Sequence, residues 1–438
     1  MSQVRIKTPV VGSPIDVVLP TTSGTLALTS QVGVVGFTGS QNTTSPNDLV
    51  NASRLLVDAT STDADAVIQP KGNGALLAQL PDNDVPGGNK RGESAIDLQL
   101  RRSSANHVAS GLMSAILSGE NNRAVDSHAC VLNGTGGTAS GTYATVIGGE
   151  NSTASGSHSL VVGTNNVASG LHASILNGLG NQASSNFAVV TNGHANNSSS
   201  IHSIVLNGYA NSASGQFSVV LNGFTSEAQG TYSIAHGEYC VATGGQSLAR
   251  GYYSNANGGY ADAIGEGCQA DGIFSVASGN RAIATGYGQI ARSSGGFNYA
   301  GDCQREEYIV RRITNNDTQV ELTCDGKQVF SAANRIAIAD ETTYAFSGLV
   351  VGRTTGLAEE ESAGYKIEGV IDRNAGVTAF VGIPSVVAIG ADVIPASTWN
   401  VTLEADNDNA ALVIKVTGEE AKMIRWGATV KLMKVSGY

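Results

Sequence analysis

Between Met113 and Tyr287 apolar residues return at a spacing that fits neither an amphipathic helix nor a long strand. The phrases "HSIVLNGYANSASGQ" and "FSVVLNGFTSEAQGT" (202–231) say nearly the same thing twice, and the pattern fills 113–287 as twelve units, seven of fifteen residues and five of fourteen. Each unit holds two short runs. The first centres on Ile116, Val131, Val146, Val161, Ile175, Val190, Val205 and Val220, β-branched residues that suit a pleated strand. Glycine closes it (Gly134, Gly149, Gly163, Gly178, Gly193, Gly208, Gly223, Gly237), which predicts a turn at positive φ. The second run centres on alanine (Ala139, Ala154, Ala168, Ala183, Ala213, Ala228, Ala242, Ala256, Ala270, Ala284), small enough for backbones to approach closely.

Regularity on this scale predicts a solenoid of stacked coils. At ~4.8 Å per coil, twelve coils span ~58 Å. No proline occurs between Pro86 and Pro384, as a continuous ladder requires, since each backbone N–H is needed. Such a coil cannot wrap a wide core. With one or two apolar side chains facing inward per coil, burial at ~25 cal/mol per Å² must offset ~1–2 kcal/mol of backbone entropy per residue. The expectation is that several copies pack side by side and share a centre.

Beyond Gln304 the pattern changes. Runs such as "EEYIVRRIT", "TQVELTCDG", "RIAIADETTYAFSGLVVGRTT", "YKIEGVIDR", "WNVTLEA", "ALVIKVT" and "TVKLMKV" alternate apolar with polar residues between Gly, Asn and Asp. They predict at least seven short strands in an antiparallel sandwich or jelly roll, with no amphipathic helical period. Both tryptophans, Trp399 and Trp426, fall here. The whole chain is therefore expected to be all-β.

Composition and charge narrow the function. The net charge is −11 over 438 residues, and no lysine stands between Lys90 and Lys327, which excludes a phosphate-binding basic face. The opening "MSQVRIKTPVVGSPIDVVLP" has no secretory pattern and no run approaches eighteen apolar residues, so the expectation is a product of the cytoplasm without membrane insertion. Cys130, Cys240, Cys268, Cys303 and Cys324 form no CxxC pair and read as free or buried thiols. Cys240 and Cys268 share one unit position two coils apart, ~9.6 Å by strand spacing, too far for a disulfide.

Candidate chemistry is sparse. His128, His158, His172 and His202 open their units, where Tyr143, Phe187, Phe217, Tyr232, Tyr260 and Phe274 also stand, so they read as a packing or surface column; the alternative is a metal site on a three-fold axis. Asn133, Asn177, Asn192, Asn207 and Asn222 precede the turn glycines and read as a ladder of stacked amides and turn residues, with a sugar-binding row as the sharper alternative. "EADNDN" (404–409) reads as a hairpin turn rather than a calcium loop, "AEEES" (358–362) as a solvated loop, and "GNGALL" lacks the Lys-Ser/Thr of a phosphate cradle. The acids of the repeat, Glu120, Glu150, Glu227, Glu238, Asp262, Glu266 and Asp271, are scattered among coils. No cofactor, metal site or catalytic residue is expected, and the chain reads as not an enzyme.

Units such as "FSVASGNRAIATGY" and "YSIAHGEYCVATGG" resemble the fourteen-residue repeats in the head domains of trimeric autotransporter adhesins. That resemblance implies a left-handed parallel β-roll in a homotrimer, and phage fibres use similar repeats. The segment Leu55–Gly111 is similar to those that lead into repeats in tail-fibre-like proteins, and the C-terminal part resembles domains that close phage fibres. The resemblance implies a phage tail fibre, made in the host cytoplasm and carried on the virion. Its segments are a virion-attachment segment (1–45), a small β-rich connector (46–112), the β-roll (113–290), a linker (291–304) and a C-terminal β-sandwich-like cap and receptor-binding domain (305–438). Its partners are two further copies of itself, a tail or baseplate protein at the N-terminus, and host surface polysaccharide or protein at the C-terminal domain. The receptor-binding residues are not identified by the sequence; Trp399, Trp426 and Tyr365 are the candidates, although core packing is the favoured reading of either tryptophan. The rival readings are a virion-associated polysaccharide depolymerase, a head-decoration fibre and a bacterial surface adhesin.

Overall fold

The computed structural model describes residues 68–327, 334–355, 360–391 and 399–437, together with four short strands in the first 55 residues. The chain forms two units, Met1–Lys71 and Gly72–Tyr438. In the first, Val4–Arg5 pairs antiparallel with Asp16–Val17, and Phe37–Asn42 with Val50–Leu55. Most of the expected attachment segment lies outside the described residues.

The second unit begins as a solenoid. One parallel ladder runs from Leu76–Leu77 through Ile96–Asp97, Ala115–Ile116 and every first run of the repeat to Ile290–Ser294. A second, also parallel, runs from Arg123–Ala124 to Ile283–Ala284 through the alanine runs. The valine and alanine columns are fully buried against each other. The core they form contains only alanine, valine, isoleucine and cysteine, which is all that a coil of this circumference can enclose.

Seven of the eight closing glycines have φ between 96° and 125°; at Gly223 the positive φ falls instead on Asn222. A side chain is excluded there for a further reason. A Cβ on Gly149 would lie 1.8 Å from the carbonyl oxygen of Gly163 in the next coil.

A ladder of side chains inside the turn answers those carbonyls. The amide of Asn122 donates to Gly134 O (2.9 Å), Asn166 to Gly178 O (3.0 Å), Asn181 to Gly193 O (2.9 Å), Asn196 to Gly208 O (3.0 Å) and Asn211 to Gly223 O (2.8 Å). Serine does the same at Ser152, Ser226 and Ser254, and the thiols of Cys240 and Cys268 replace it at 3.3 Å from Gly251 O and Gly279 O. The asparagines that the sequence singles out before the glycines are on the surface instead. The five cysteines are free thiols.

The two unit lengths differ in one local respect. In the four fourteen-residue units that close the repeat, the first strand runs five residues without a break, as in Ile234–Glu238 and Leu248–Tyr252. In the fifteen-residue units it usually stops after two, as in Val189–Val190, and the extra residue is taken up before the next turn.

The C-terminal part is antiparallel throughout. Cys303–Thr314, Ile424–Ser436, Thr342–Thr354 and Ser362–Asn374 form one sheet in that order, and Ser362–Asn374 also pairs with Val377–Phe380 and Ser385–Ala391. A smaller sheet joins Val320–Glu321, Ala411–Thr417, Ile336–Ala337 and Asn400–Asp406. The two enclose a second core of Tyr308, Phe346, Ile367, Trp426, Leu412 and Ile414, among others. Three strands reach thirteen residues, longer than their sequence runs suggest, and "RIAIADETTYAFSGLVVGRTT" is shared between both sheets. Cys303–Thr314 also pairs antiparallel with Ile290–Ser294, so the first strand of this part closes the open edge of the last coil.

Candidate functional site

The three candidate receptor-binding residues are brought together, but inside the fold. Trp399 and Trp426 are 6% and 2% exposed, with ring centroids 5.3 Å apart. Their indole N–H groups donate to Glu419 Oε2 (3.2 Å) and Thr314 Oγ1 (3.0 Å), and the half-buried Tyr365 donates its hydroxyl to the Trp399 carbonyl (3.1 Å). Their large faces are used by the second core.

The exposed rings are on the solenoid, in two columns of different character. The first is the unit-opening column. From His128 through Tyr143, His158, His172, Phe187, His202 and Phe217 to Tyr232, eight rings stack with centroids 4.5–5.1 Å apart and planes within 15°. All take φ between 56° and 60°, a conformation that costs a residue with a Cβ about 1–2 kcal/mol. Each internal ring meets two neighbours, and an aromatic pair contributes about 0.5–1.5 kcal/mol, which offsets much of that cost. The faces are consumed by the stack and only ring edges reach solvent. Among the described residues no three metal-ligating side chains converge.

The second column follows the other turn of the coil. Tyr209, Phe224, Glu238, Tyr252, Glu266 and Asn280 are register partners in successive coils. Tyr239 and Tyr253 stand beside them, at φ of 53° and 50°. Stacking is only local here: Tyr209 stacks on Phe224 and Tyr239 on Tyr253, with planes 17° and 14° apart, whereas Phe224–Tyr239, Tyr239–Tyr252 and Tyr252–Tyr253 meet at 80°, 73° and 84°. A carboxylate at Glu238 and at Glu266 breaks the run of rings on either side of Tyr252, which meets its ring neighbours edge to face. Tyr209, Phe224, Tyr252 and Tyr253 are 42–50% exposed. Burial among these neighbours, with Tyr253 and Glu238 close by, pushes the Tyr252 phenol up, so it is a hydrogen-bond donor at neutral pH.

Glu238 and Glu266 flank Tyr252 two coils apart, ~9.6 Å by strand spacing. Glu266 accepts from the Asn280 amide at 2.9 Å. The sequence shows both acids but not their alignment, because one coil separates each acid from the tyrosine between them.

The turn at 404–409 is the hairpin that the sequence predicts. The Asp406 carboxylate accepts from the backbone N–H of Asn409 (3.0 Å) and from its amide (2.8 Å), between the antiparallel strands Asn400–Asp406 and Ala411–Thr417. In 358–362, Ala358 and Glu359 lie outside the described residues, while Glu361 accepts from Lys422 Nζ at 2.8 Å.

No family model matches the sequence, and no curated protein is significantly similar to it. Solved structures similar to this chain are phage proteins. The tailspike of Acinetobacter phage vB_ApiP_P1 is 10% identical, with 83% of this chain and 74% of that one covered at a TM-score of 0.24. Tailspike gp49 of Acinetobacter baumannii phage Fri1, a capsular polysaccharide depolymerase, is 8% identical, with 91% and 92% covered and a TM-score of 0.22. The tailspike of A. baumannii phage AM24 is 8% identical over 82% and 69%, also with a TM-score of 0.22. The expectation that the chain is not an enzyme is corrected at this point, since a depolymerase stands among the structures to which it is similar.

Proposed function

We propose that this chain is the subunit of a trimeric virion fibre of tailspike type that binds host-surface polysaccharide and cleaves it. The observation that carries the reading is the exposed ring of Tyr252, which meets Tyr239 and Tyr253 edge to face and, unlike the rings of the stacked column, spends no face on a neighbour's face. Glu238 and Glu266 supply the chemistry. An inverting glycosidase uses two carboxyl groups about 6.5–9.5 Å apart, one acting as acid on the leaving oxygen and the other as base for water, and side chains whose backbones lie ~9.6 Å apart can reach that separation. In this reading the sugar lies over Tyr252 and the scissile bond between the two acids. Attachment to the particle through residues 1–45 and contact with the host surface through the C-terminal part belong to the same proposal.

The trimer rests on a second feature. The outward side of the valine sheet carries Leu117, Ile147, Leu176 and Leu206, each 38–47% exposed, whereas the outward side of the alanine sheet carries Ser155, Ser169, Ser184 and Ser199. Of these two sheets, the valine side favours contact with another copy.

Purified polysaccharide from a susceptible host, incubated with the protein, is expected to release oligosaccharides with new reducing ends. Glu238→Gln with Glu266→Gln is expected to abolish release and spare binding, and Tyr252→Ala with Tyr253→Ala to weaken binding at least tenfold. Unchanged release from the Glu238→Gln, Glu266→Gln double variant sinks the cleavage site. Unchanged binding by the tyrosine variant sinks the recognition surface.

A further inference from the structure

The larger C-terminal sheet turns one face to its core and the other outward. One outward row crosses five strands: Arg311 is opposite Gly427, Gly427 opposite Val351, Val351 opposite Gly364, and Gly364 opposite Gly390. Three of the five positions are glycine; Gly364 and Gly390 stand where the register of their two strands shifts by a residue, and nothing of that kind marks Gly427. None has a positive φ. A Cβ added at Gly427 or Gly390 would meet nothing within 4 Å, and one at Gly364 would make only ordinary contact with Ile389 at 3.4 Å. Glycine inside a strand weakens it, and at Gly427, where no turn, bulge or packing calls for it, the remaining reason is close approach from outside.

The row is the floor of a groove. The outward rows on either side lie two residues away along each strand, which sets the walls ~14 Å apart, and five strands give a length of ~19 Å. Leu349 and Lys366 stand on one wall, Arg425 and Arg353 on the other. A cavity of about 250 Å³ opens between Arg311, Arg425 and Trp426 at one end, and one of about 490 Å³ over Gly364 and Gly390 at the other.

Charge sets the occupant. The chain as a whole is acidic, yet Arg311 and Arg425 line one end of this groove and Arg353 is the register partner of Arg425. Arg311 donates only to the carbonyls of Cys324 (3.3 Å) and Asp325 (3.2 Å), and among the described residues no carboxylate pairs with Arg353 or Arg425. Asp325, the acid at that end, is held by its own turn, accepting from Lys327 N and Asn334 Nδ2, both at 3.1 Å. Lys366 is already paired with Glu368 at 2.7 Å. Planar guanidinium groups bind carboxylates in a bidentate fork. We infer that the groove binds an extended acidic polysaccharide, its sugar rings over the glycine floor and its carboxylates on Arg311, Arg353 and Arg425. This site is separate from the ring cluster and stands whether or not that cluster binds or cleaves glycan.

The test uses the full chain and polygalacturonate, with neutral dextran as control, by affinity electrophoresis at low and high salt. Retention by polygalacturonate and not dextran is expected, falling with salt. Arg353→Gln with Arg425→Gln is expected to weaken it at least tenfold, and Gly427→Leu, whose side chain enters open space, to do the same by filling the floor. Tyr252→Ala with Tyr253→Ala should leave it unchanged, which separates the two sites. Wild-type protein that polygalacturonate does not retain overturns the proposal, as does equal retention of the arginine variant. Sedimentation velocity on the same samples covers the remaining case: Gly427→Leu that alters the oligomeric state while retention persists makes the groove an interface between copies, and overturns it too.

Discussion

Asn196 shows how much one buried side chain holds together. Its amide donates to Asn192 O (3.2 Å) and Gly208 O (3.0 Å), and its oxygen accepts from the N–H of Asn211 at 3.1 Å, so two successive coils depend on it. Asn196→Ala strands these groups in the interior, where each orphan costs about 1–3 kcal/mol. A clear drop in the urea midpoint is expected. Asn196→Ser should lose less, because serine already does this work at Ser226, which donates to Gly237 O (2.8 Å) and accepts from Cys240 N (3.1 Å). Equal losses from the two variants contradict the ladder. The ladder also fixes the state of the thiols: burial pushes Cys240 and Cys268 up, and Cys324 up to about 12. Iodoacetamide at neutral pH is therefore expected to spare all three until denaturant is added, as peptide mapping would show. The valine and alanine columns are plain in the sequence because one residue type recurs at one spacing. The ladder is not, because asparagine, serine, cysteine and glycine alternate in it, and the more regular Leu-Asn-Gly phrase draws attention to asparagines that face solvent.

At the scale of elements, the joint between solenoid and cap rests on the pairing of Ala291 with Glu306. Glu306 is 3% exposed, accepts from Gln304 Nε2 at 2.8 Å and faces the Tyr308 hydroxyl at 3.4 Å. Burial raises its pKa, countered in part by the Gln304 hydrogen bond and by Lys434. A carboxyl held above its unfolded value of about 4.3 stabilises the fold while protonated and loses that contribution as pH rises through the folded value. Glu306→Gln is accordingly expected to raise the melting temperature at neutral pH, and the gain should vanish below about pH 4, where the unfolded chain is protonated as well. A gain that is the same at both pH values contradicts the assignment. The existence of this cap is legible in the alternating runs after Gln304. Its geometry is not, since alternation marks which side chains turn inward without saying which strands pair, and so does not tell that Trp399 and Trp426 lie against each other with ring centroids 5.3 Å apart.

For the whole molecule, the distribution of exposed apolar residues decides how copies meet. The outward column of the valine sheet reads Leu117, Leu132, Ile147, Val162, Leu176, Thr191, Leu206 and Leu221, then turns mostly polar at His236, Arg250, Ile264, Ser278 and Arg292. The change coincides with the shift to fourteen-residue units and with the ring cluster, so the coils best suited to lateral contact are distinct from those proposed to meet sugar. In the proposed trimer, lateral contact is also where multivalency originates, because three chains held in one fibre would present three copies of each weak site at high effective concentration. Leu176→Asp with Leu206→Asp places carboxylates in the middle of the apolar column and leaves the inward-facing valines untouched. Sedimentation equilibrium is expected to give three times the chain mass for the wild type and smaller species for the variant, with polysaccharide retention weakened far more than any single site explains. A wild-type chain that sediments as a stable, folded single copy removes the trimer, and the fibre reading with it.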